Sequence, residues 1–368
     1  MNILIVDPVI STDFIITELS KKNDVFILDT LGSKLNSEFF KLDINKLKSL
    51  STYIKSAGNL AADCALIKDH NIDSVLYGSE FTIEYTDKLA RMLCIPFNNH
   101  ETSDLRFDKY HMINIMKESK QICFDGNLNR CMDFYNENNG NVVVKPRYNS
   151  TGSSDVFIPN NESSFLEKLK IINNSFLIQE KIFFKDEYFV DTASYGGVHV
   201  VCNIGFYEKK IINGNAVYQK ASFLSKLDPL FKKISIYVEN VLNIICFSFG
   251  LTHTEVALKD NGDLVLIEVN PRVSGVKGFM NKATQNMYGY NQISVYLNLL
   301  NKNKLVSEIY TIPAKKQSEI IFIHKEDEYK KLLKKLPNEN IFINTNYTFV
   351  EKEYTLFNCP GFFIHEVK

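Results

Sequence analysis

The sequence predicts an α/β domain followed by a mixed α+β region, and three observations support this fold class. Between residues 1 and 100, short apolar runs alternate with amphipathic stretches, which is the pattern of βα units on a parallel sheet. After residue 108, apolar runs come in pairs joined by turn residues, which indicates antiparallel hairpins. Between these regions, Pro96 and the pair Asn98-Asn99 combine a fixed φ with turn-forming amides and mark a boundary.

The elements follow in order from the same patterns. The N-terminal part is predicted to hold strands over residues 2–6, 25–29 and 74–77 and helices over residues 12–21, 47–70 and 81–93. The remainder is predicted to hold helices over 108–117, 162–172, 229–249 and 291–300, strands over 142–146 and 177–181, and hairpins over 187–207 and 253–270. Three domains are therefore expected, over residues 1–100, 101–182 and 183–368.

Composition excludes several classes of protein. The 368 residues are enough for two or three domains, and 42 Lys+Arg nearly cancel 43 Asp+Glu, so no basic surplus points to nucleic acid. No apolar run approaches the ~18 residues that span a bilayer, and the start MNILIVD lacks the basic region of a signal peptide. The seven cysteines never form C-x-x-C, so neither a disulfide framework nor a zinc site is expected. These features predict a cytoplasmic protein.

The hairpin over 253–270 carries the most informative pattern. Asn261-Gly262 predicts a two-residue type I′ turn, which would place Asp260 opposite Asp263. That register puts Glu255 opposite Glu268 on one face of the hairpin. It also puts His253 opposite Asn270 on the same face. The other face is predicted to be core and consists of Val256, Leu258, Val265, Ile267 and Val269.

Two carboxylates directly opposed on neighbouring strands repel each other unless something neutralises them. A divalent cation does so, and Glu255, Glu268 and the amide oxygen of Asn270 suit Mg²⁺ (or Mn²⁺), which takes few protein ligands beside water and phosphate. The alternative is a solvated face on which each glutamate pairs with a lysine. Arg272, just past the carboxylates, favours the metal site because its guanidinium could hold an anion that the metal also touches.

Phosphate-binding motifs of the common kinds are absent. The chain contains neither G-x-G-x-x-G nor G-x-x-x-x-G-K. Lys145 at the end of an apolar strand, followed by the small-residue loop over 149–154, offers an ammonium group and backbone N–H groups to phosphate oxygens. An ordinary turn is the other interpretation of this loop.

Taken together, Asp108-Lys109, VVVKPRYNSTGSSDV, LIQEKI and HTEVALKDNGDLVLIEVNPRVSG resemble the ATP-grasp superfamily of carboxylate-amine ligases. KPRYNSTGSSDV and the residues after NPR are most similar to the L-amino-acid and dipeptide ligases of specialised metabolism. The resemblance covers residues 1–300 and implies an ATP-grasp fold with an N-terminal βα (pre-ATP-grasp) domain.

The resemblance also implies roles for individual residues. Lys109 and Lys145 match the lysines that contact ATP phosphates, and the loop that closes over the γ-phosphate is matched by Ser150, Thr151, Gly152, Ser153 and Ser154. The segment that meets adenine is matched by Glu180, Lys181 and Ile182, and Glu187 matches the ligand of the ribose hydroxyls. The magnesium ligands are matched by Glu255, Glu268 and Asn270. Arg272 matches the arginine that stabilises the acyl-phosphate, so Arg272 and Lys145 are the expected catalytic residues.

The expected function is ADP-forming ligation of a carboxylate to an amine through an acyl-phosphate, with ATP and magnesium as cofactors. The expected partners are two small molecules, without nucleic acid or membrane, and the expected assembly is a homodimer. Ligation onto a peptide or protein is the alternative within the superfamily. A nucleotide-binding protein without turnover is the alternative outside it, and the intact set of Glu255, Glu268, Asn270 and Arg272 argues against that alternative.

Overall fold

The computed structural model describes residues 1–8, 11–31, 44–148, 156–212, 215–275, 278–301, 314, 317–323, 327, 330–331, 334, 341–343 and 361–367. The predicted phosphate loop over Ser150, Thr151, Gly152, Ser153 and Ser154 lies outside these residues. In the described part of the chain, no helix has the length and apolar character needed to cross a membrane.

The N-terminal part is a four-stranded parallel sheet with its helices, in the strand order β3-β2-β1-β4. Its elements are β1 Asn2–Val6, α1 Thr12–Leu19, β2 Asp24–Asp29, α2 Ile44–Leu50, β3 Thr52–Lys55, α3 Leu60–Ile67, β4 Ser74–Tyr77 and α4 Ile83–Met92. The prediction of one helix over 47–70 was wrong, because β3 interrupts it. Thr52, Tyr53 and Ile54 favour a strand, and Asn59 then caps α3 by accepting a hydrogen bond from the Ala62 N–H.

The middle part is a three-stranded antiparallel sheet in the order β5-β7-β6. Its elements are α5 Asp104–Phe107, α6 Lys109–Met116, β5 Gln121–Cys123, α7 Leu128–Glu137, β6 Val142–Pro146, α8 Glu162–Ile171 and β7 Phe176–Glu180. This sheet presents Lys145 near the end of β6, and α6 begins at Lys109.

The last part is an antiparallel sheet of eight strands in the order β12-β11-β8-β9-β10-β13-β15-β14. Its elements are β8 Asp186–Tyr195, β9 Val198–Ile212, β10 Asn215–Phe223, α9 Pro229–Ile244, β11 Gly250–Leu258, β12 Leu264–Asn270, α10 Phe279–Tyr288, α11 Gln292–Leu300, β13 Gln317–Ile323, β14 Ile341–Ile343 and β15 Gly361–Val367. The predicted turn at Gly196-Gly197 is confirmed, since Tyr195 pairs with Val198 and both glycines have positive φ. The predicted helix over 229–249 ends earlier, at Ile244.

The register of the second hairpin is correct at the glutamates and wrong near the turn. Lys259 N–H donates to the Asp263 carbonyl, so the loop has three residues rather than two, and Gly262 at φ 88 closes it. A bulge at Ile267 then shifts the ladder by one residue. The two shifts cancel, so Glu255 lies opposite Glu268 as predicted. Between the turn and the bulge, the side chains of β12 point to the opposite face from the one predicted. Leu264 and Leu266 pack on the core side, where Val265 and Ile267 were predicted.

The large sheet packs a hydrophobic cluster on each face. Phe189 of β8 belongs to the cluster shared with α10, α11 and the N-terminal sheet, whereas its neighbour Val190 belongs to the cluster under α9. Each sheet falls within one predicted domain, although the domain boundaries themselves stay a prediction.

Candidate active site

The carboxylate pair of the β11–β12 hairpin is the centre of the site. Lys109 Nζ lies 3.0 Å from Glu268 Oε2, and Asn270 Nδ2 donates to Glu268 Oε1 at 2.9 Å. Burial alone would raise the pKa of Glu268, but the Lys109 ammonium and the Asn270 amide lower it to about 2. Glu268 is therefore held as a carboxylate, ready to bind a cation.

Lys145 is a buried cation close to this pair. Its side chain comes from β6, the residue is 8% exposed, and no described residue offers it a hydrogen-bond acceptor. Burial, reinforced by the charge of Lys109, lowers the pKa of Lys145 to about 8. The charges of Glu268 and Glu255 only partly oppose this effect, and a phosphate group would supply the ammonium with a hydrogen-bond acceptor.

A three-residue turn over Asn270, Pro271 and Arg272 orients the Arg272 side chain. Its N–H donates to the Asn270 carbonyl at 2.8 Å around Pro271, whose fixed φ suits such a turn. The guanidinium Nε then lies 3.7 Å from Oε2 of Glu80. Arg272 thus directly follows the β11–β12 hairpin and also contacts Glu80 in the N-terminal part of the chain.

Glu80 is a site residue that the sequence analysis missed. It follows β4, at the carboxyl end of a parallel strand, which is where α/β sheets place their ligand groups. Its Oε1 atom is buried without a hydrogen-bond partner. Burial raises the pKa of Glu80, while Arg272 and Lys109 oppose the rise. The sequence signal was present in its position after β4, but no motif marks it.

His253 supports Glu255 from the neighbouring position on the same face of β11. His253 Nδ1 lies 2.8 Å from Asp191 Oδ1, and Nε2 lies 3.7 Å from Glu255 Oε1. Burial alone would lower the pKa of His253, but the two carboxylates raise it to about 9. A cation therefore backs each glutamate of the pair, His253 behind Glu255 and Lys109 behind Glu268.

The residues predicted for adenine and ribose lie at the end of β7, in the segment that follows it and on β8. Glu180 ends β7, where its Oε1 accepts from the Lys120 N–H at 2.9 Å, and Lys181 and Ile182 continue the chain half-buried toward β8. Glu187 on β8 pairs with Lys209 through both carboxylate oxygens, at 2.9 and 3.0 Å. Burial raises the pKa of Glu187, and the charge of Glu255 adds to this rise, so the two acids lie in one electrostatic neighbourhood.

The structure therefore brings six predicted residues together, namely Lys109, Lys145, Glu255, Glu268, Asn270 and Arg272. Other polar residues of the large sheet are engaged elsewhere. His199 Nδ1 lies 2.8 Å from the Ser194 hydroxyl, and Lys220 pairs with Glu208 and Glu319. These two positions are thus tied to the sheet itself rather than to the site.

The donor set fits magnesium better than a metal that needs a closed protein cage. Within the described ranges, no cluster of three or more His, Cys, Asp and Glu side chains is arranged to hold a metal ion. Two carboxylates and an amide oxygen leave several positions open, which is how Mg²⁺ is bound when water and phosphate complete its shell. The opposed pair of Glu255 and Glu268 is thus suited to a magnesium–nucleotide complex.

Comparisons with known proteins indicate what the chain is similar to. No protein-family model matches the chain. Over 143 residues it is 28% identical to the L-arginine-specific L-amino acid ligase of Bacillus subtilis, a match that covers 36% of this chain and only 34% of that relative.

Several solved structures match nearly the whole chain, and two of them illustrate the similarity. The L-amino acid ligase from Bacillus licheniformis superposes with a TM-score of 0.71 at 16% identity, over 99% of this chain and 93% of that one. The carboxyaminoimidazole ribonucleotide synthase from Aspergillus clavatus, solved with ATP, gives a TM-score of 0.72 at 11% identity, over 100% and 93%.

The chain therefore has the ATP-grasp fold, as its sequence predicts. It is similar to L-amino acid ligases, which appear in both the sequence comparison and the structural comparison.

Proposed function

We propose that the protein is an ATP-dependent, ADP-forming ligase that joins the carboxylate of an amino acid to an amine. The observation that carries this proposal is the juxtaposition of Arg272 and Glu80, 3.7 Å apart, beside the carboxylate pair of the hairpin. The guanidinium suits a substrate carboxylate, and the buried, unpartnered Oε1 of Glu80 suits an α-ammonium group. A free amino acid carries both groups. Two small molecules are thus the proposed partners, in the cytoplasm.

The residues divide the chemistry among them. Glu255, Glu268 and Asn270 would hold Mg²⁺, which, when bound, offsets the phosphate charge. Lys145 and Lys109 would bind phosphate oxygens, and Lys109 would leave its pairing with Glu268 to do so. The substrate carboxylate oxygen then attacks the γ-phosphorus, and ADP leaves. Arg272 stabilises the resulting acyl-phosphate and the oxyanion that forms when the amine attacks its carbonyl carbon. Phosphate leaves, and the amine loses its proton as the amide forms.

The test is ADP release from ATP over pooled amino acids, compared between the wild type and two Arg272 variants. Arg272→Ala should keep ATP affinity and lower kcat/KM by about 10²- to 10³-fold, as deletion of one oxyanion donor does. Arg272→Lys should recover only part of the loss, since an ammonium lacks the planar fork. If Arg272→Ala loses ATP affinity in proportion to activity, the residue belongs to the nucleotide site and the proposal is wrong.

A further inference from the structure

Asp191 is a buried carboxylate in the middle of β8 that contacts no expected ligand. Asp191 is 0% exposed, and each of its carboxylate oxygens contacts a polar side chain. Oδ1 lies 2.8 Å from His253 Nδ1, while Oδ2 accepts from the Ser274 hydroxyl at 2.7 Å and from Asn203 Nδ2 at 2.9 Å. A carboxylate is costly to bury, and amide or hydroxyl groups could have joined these strands without a charge.

Each carboxylate oxygen of Asp191 begins a chain of contacts, called an arm below. One arm reaches Glu255 through His253, and the other reaches Arg272 through Ser274. Through Oδ1, Asp191 fixes the ring of His253, whose other nitrogen lies 3.7 Å from Glu255 Oε1. Through Oδ2 it holds Ser274, two residues after Arg272. Ser274 is also fixed from the helices, because Asn281 Nδ2 donates to its hydroxyl at 3.2 Å and Asn281 Oδ1 accepts from the Gln292 N–H.

We propose that Asp191 is a positioning residue that sets the metal-binding carboxylate Glu255 and the Arg272 turn in fixed relation to each other. The inference rests on the proposed function, since it assigns to one buried group the alignment of the phosphate end and the acyl end of the reaction. Partners that orient metal ligands from behind contribute about 10- to 100-fold to metal affinity. Misplacement of a reacting group by about 1 Å costs a similar factor in rate.

The proposal predicts a division of effects among three variants of the full-length protein. His253→Asn cuts the arm to Glu255 and should weaken Mn²⁺ binding in the presence of ADP, measured by electron paramagnetic resonance. Ser274→Ala cuts the arm to Arg272 and should leave Mn²⁺ affinity unchanged while it lowers kcat for ADP release. Asp191→Asn should do both, with Mn²⁺ affinity lower by about 10- to 100-fold. ADP affinity without metal should stay at the wild-type value in all three.

Two further variants separate positioning from folding. Thr192→Val removes a neighbouring buried hydroxyl that has no hydrogen-bond partner, so it should leave Mn²⁺ affinity and ADP release unchanged. Asp191→Asn/Asn203→Asp exchanges the two hydrogen-bonding groups, which should restore the melting temperature but not the Mn²⁺ affinity, because His253 still lacks its carboxylate. If Asp191→Asn does not fold, the proposal is tested by His253→Asn and Ser274→Ala alone. The first should lower Mn²⁺ affinity, and the second should lower kcat without changing Mn²⁺ affinity.

The proposal is wrong if a folded Asp191→Asn protein binds Mn²⁺ and releases ADP as the wild type does, or if the two arms show the same pattern of loss. Failure of the proposed ligase function can be distinguished from failure of the Asp191 proposal. If no amino acid supports ADP release by the wild type, the ligase assignment fails, while the Mn²⁺ affinities of Asp191→Asn and His253→Asn still test the arm to Glu255.

Discussion

Burial controls the protonation of Lys145, the residue that we propose binds a phosphate group. The described structure gives it no acceptor, and burial together with Lys109 lowers its pKa from 10.5 to about 8. In the free protein the ammonium is thus disfavoured, and an arriving phosphate group restores it. Over the range from pH 8 to 10.5 the unfolded chain keeps this proton and the folded chain does not, so the free protein gains stability as pH rises.

Binding of ADP to the wild type should therefore be accompanied by proton uptake near pH 8. We expect on the order of half a proton, since a group at its pKa is half protonated and a bound phosphate raises that pKa. ADP affinity should fall as pH rises through 8, as Lys145 loses its charge. Calorimetry in buffers of different ionisation enthalpy measures the uptake. Lys145→Arg is the control, because a guanidinium does not titrate in this range, and equal uptake in that variant would contradict the assignment.

Residues of the site differ in how far the sequence could predict them. Glu255, Glu268 and Asn270 lie within one hairpin and Arg272 follows it by two residues, so local spacing was sufficient to bring them together. Glu80 reaches Arg272 only because the N-terminal sheet packs against the large sheet, and local patterns carry no information on that contact. Asp191 was missed for the same reason, since its place in β8 acquires meaning only from the pairing of β8 with β11.

Among the elements, the register predicted for the β11–β12 hairpin is correct at the glutamates, but part of the reasoning behind it was wrong. Asn-Gly was interpreted as a two-residue turn, whereas Gly262 closes a three-residue loop. A bulge at Ile267 compensates for the difference. Sequence patterns rarely mark a bulge, because the extra residue looks like any other strand residue. The bulge places Leu266 in the core and still leaves Glu268 on the face of the site.

Gly205 on β9 is a second point where an element depends on one residue. A Cβ atom there would lie 2.3 Å from Cζ of Phe189 and 2.5 Å from the backbone oxygen of Ser222. Gly205→Ala should therefore lower the free energy of unfolding by about 1–3 kcal/mol, measured by urea denaturation. The effect should reach the site, since the Phe189 ring lies 5.7 Å from that of His253.

A double-mutant cycle with Phe189→Leu tests whether the clash with the Phe189 ring causes the loss of stability in Gly205→Ala. If the clash with the ring is responsible, Gly205→Ala/Phe189→Leu loses less stability than the sum of the two single variants. Additive losses would show that the ring is not involved.

At the scale of the whole molecule, Arg106 joins three parts of the chain. It is fully buried, and its guanidinium lies 2.8 Å from Asp87 on α4. The same group donates to the carbonyls of Ile245 and Cys246, just past α9. Nearby, Asn98, one of the residues that mark the predicted boundary, is buried, and its Nδ2 donates to the Tyr77 hydroxyl and to the Phe249 carbonyl. The predicted boundary after residue 100 thus falls in a packed region of the described structure.

Arg106→Met should destabilise the protein by about 3–5 kcal/mol, because it leaves the Asp87 carboxylate buried without a cation. Arg106→Met/Asp87→Asn removes that charge and should be more stable than the single variant, as measured by urea denaturation. A double variant that is less stable than Arg106→Met would show that Asp87 is not the source of the loss.

The measurement that tests the central claim most directly follows oxygen from the substrate. An amino acid labelled with ¹⁸O in its carboxylate is incubated with the amine substrate, ATP, Mg²⁺ and the protein, and the products are examined by mass spectrometry. Attack of the carboxylate on the γ-phosphorus predicts ADP as the nucleotide product and one ¹⁸O atom in the released phosphate. Label in AMP, or phosphate without label, would contradict an acyl-phosphate and with it the proposed ligase.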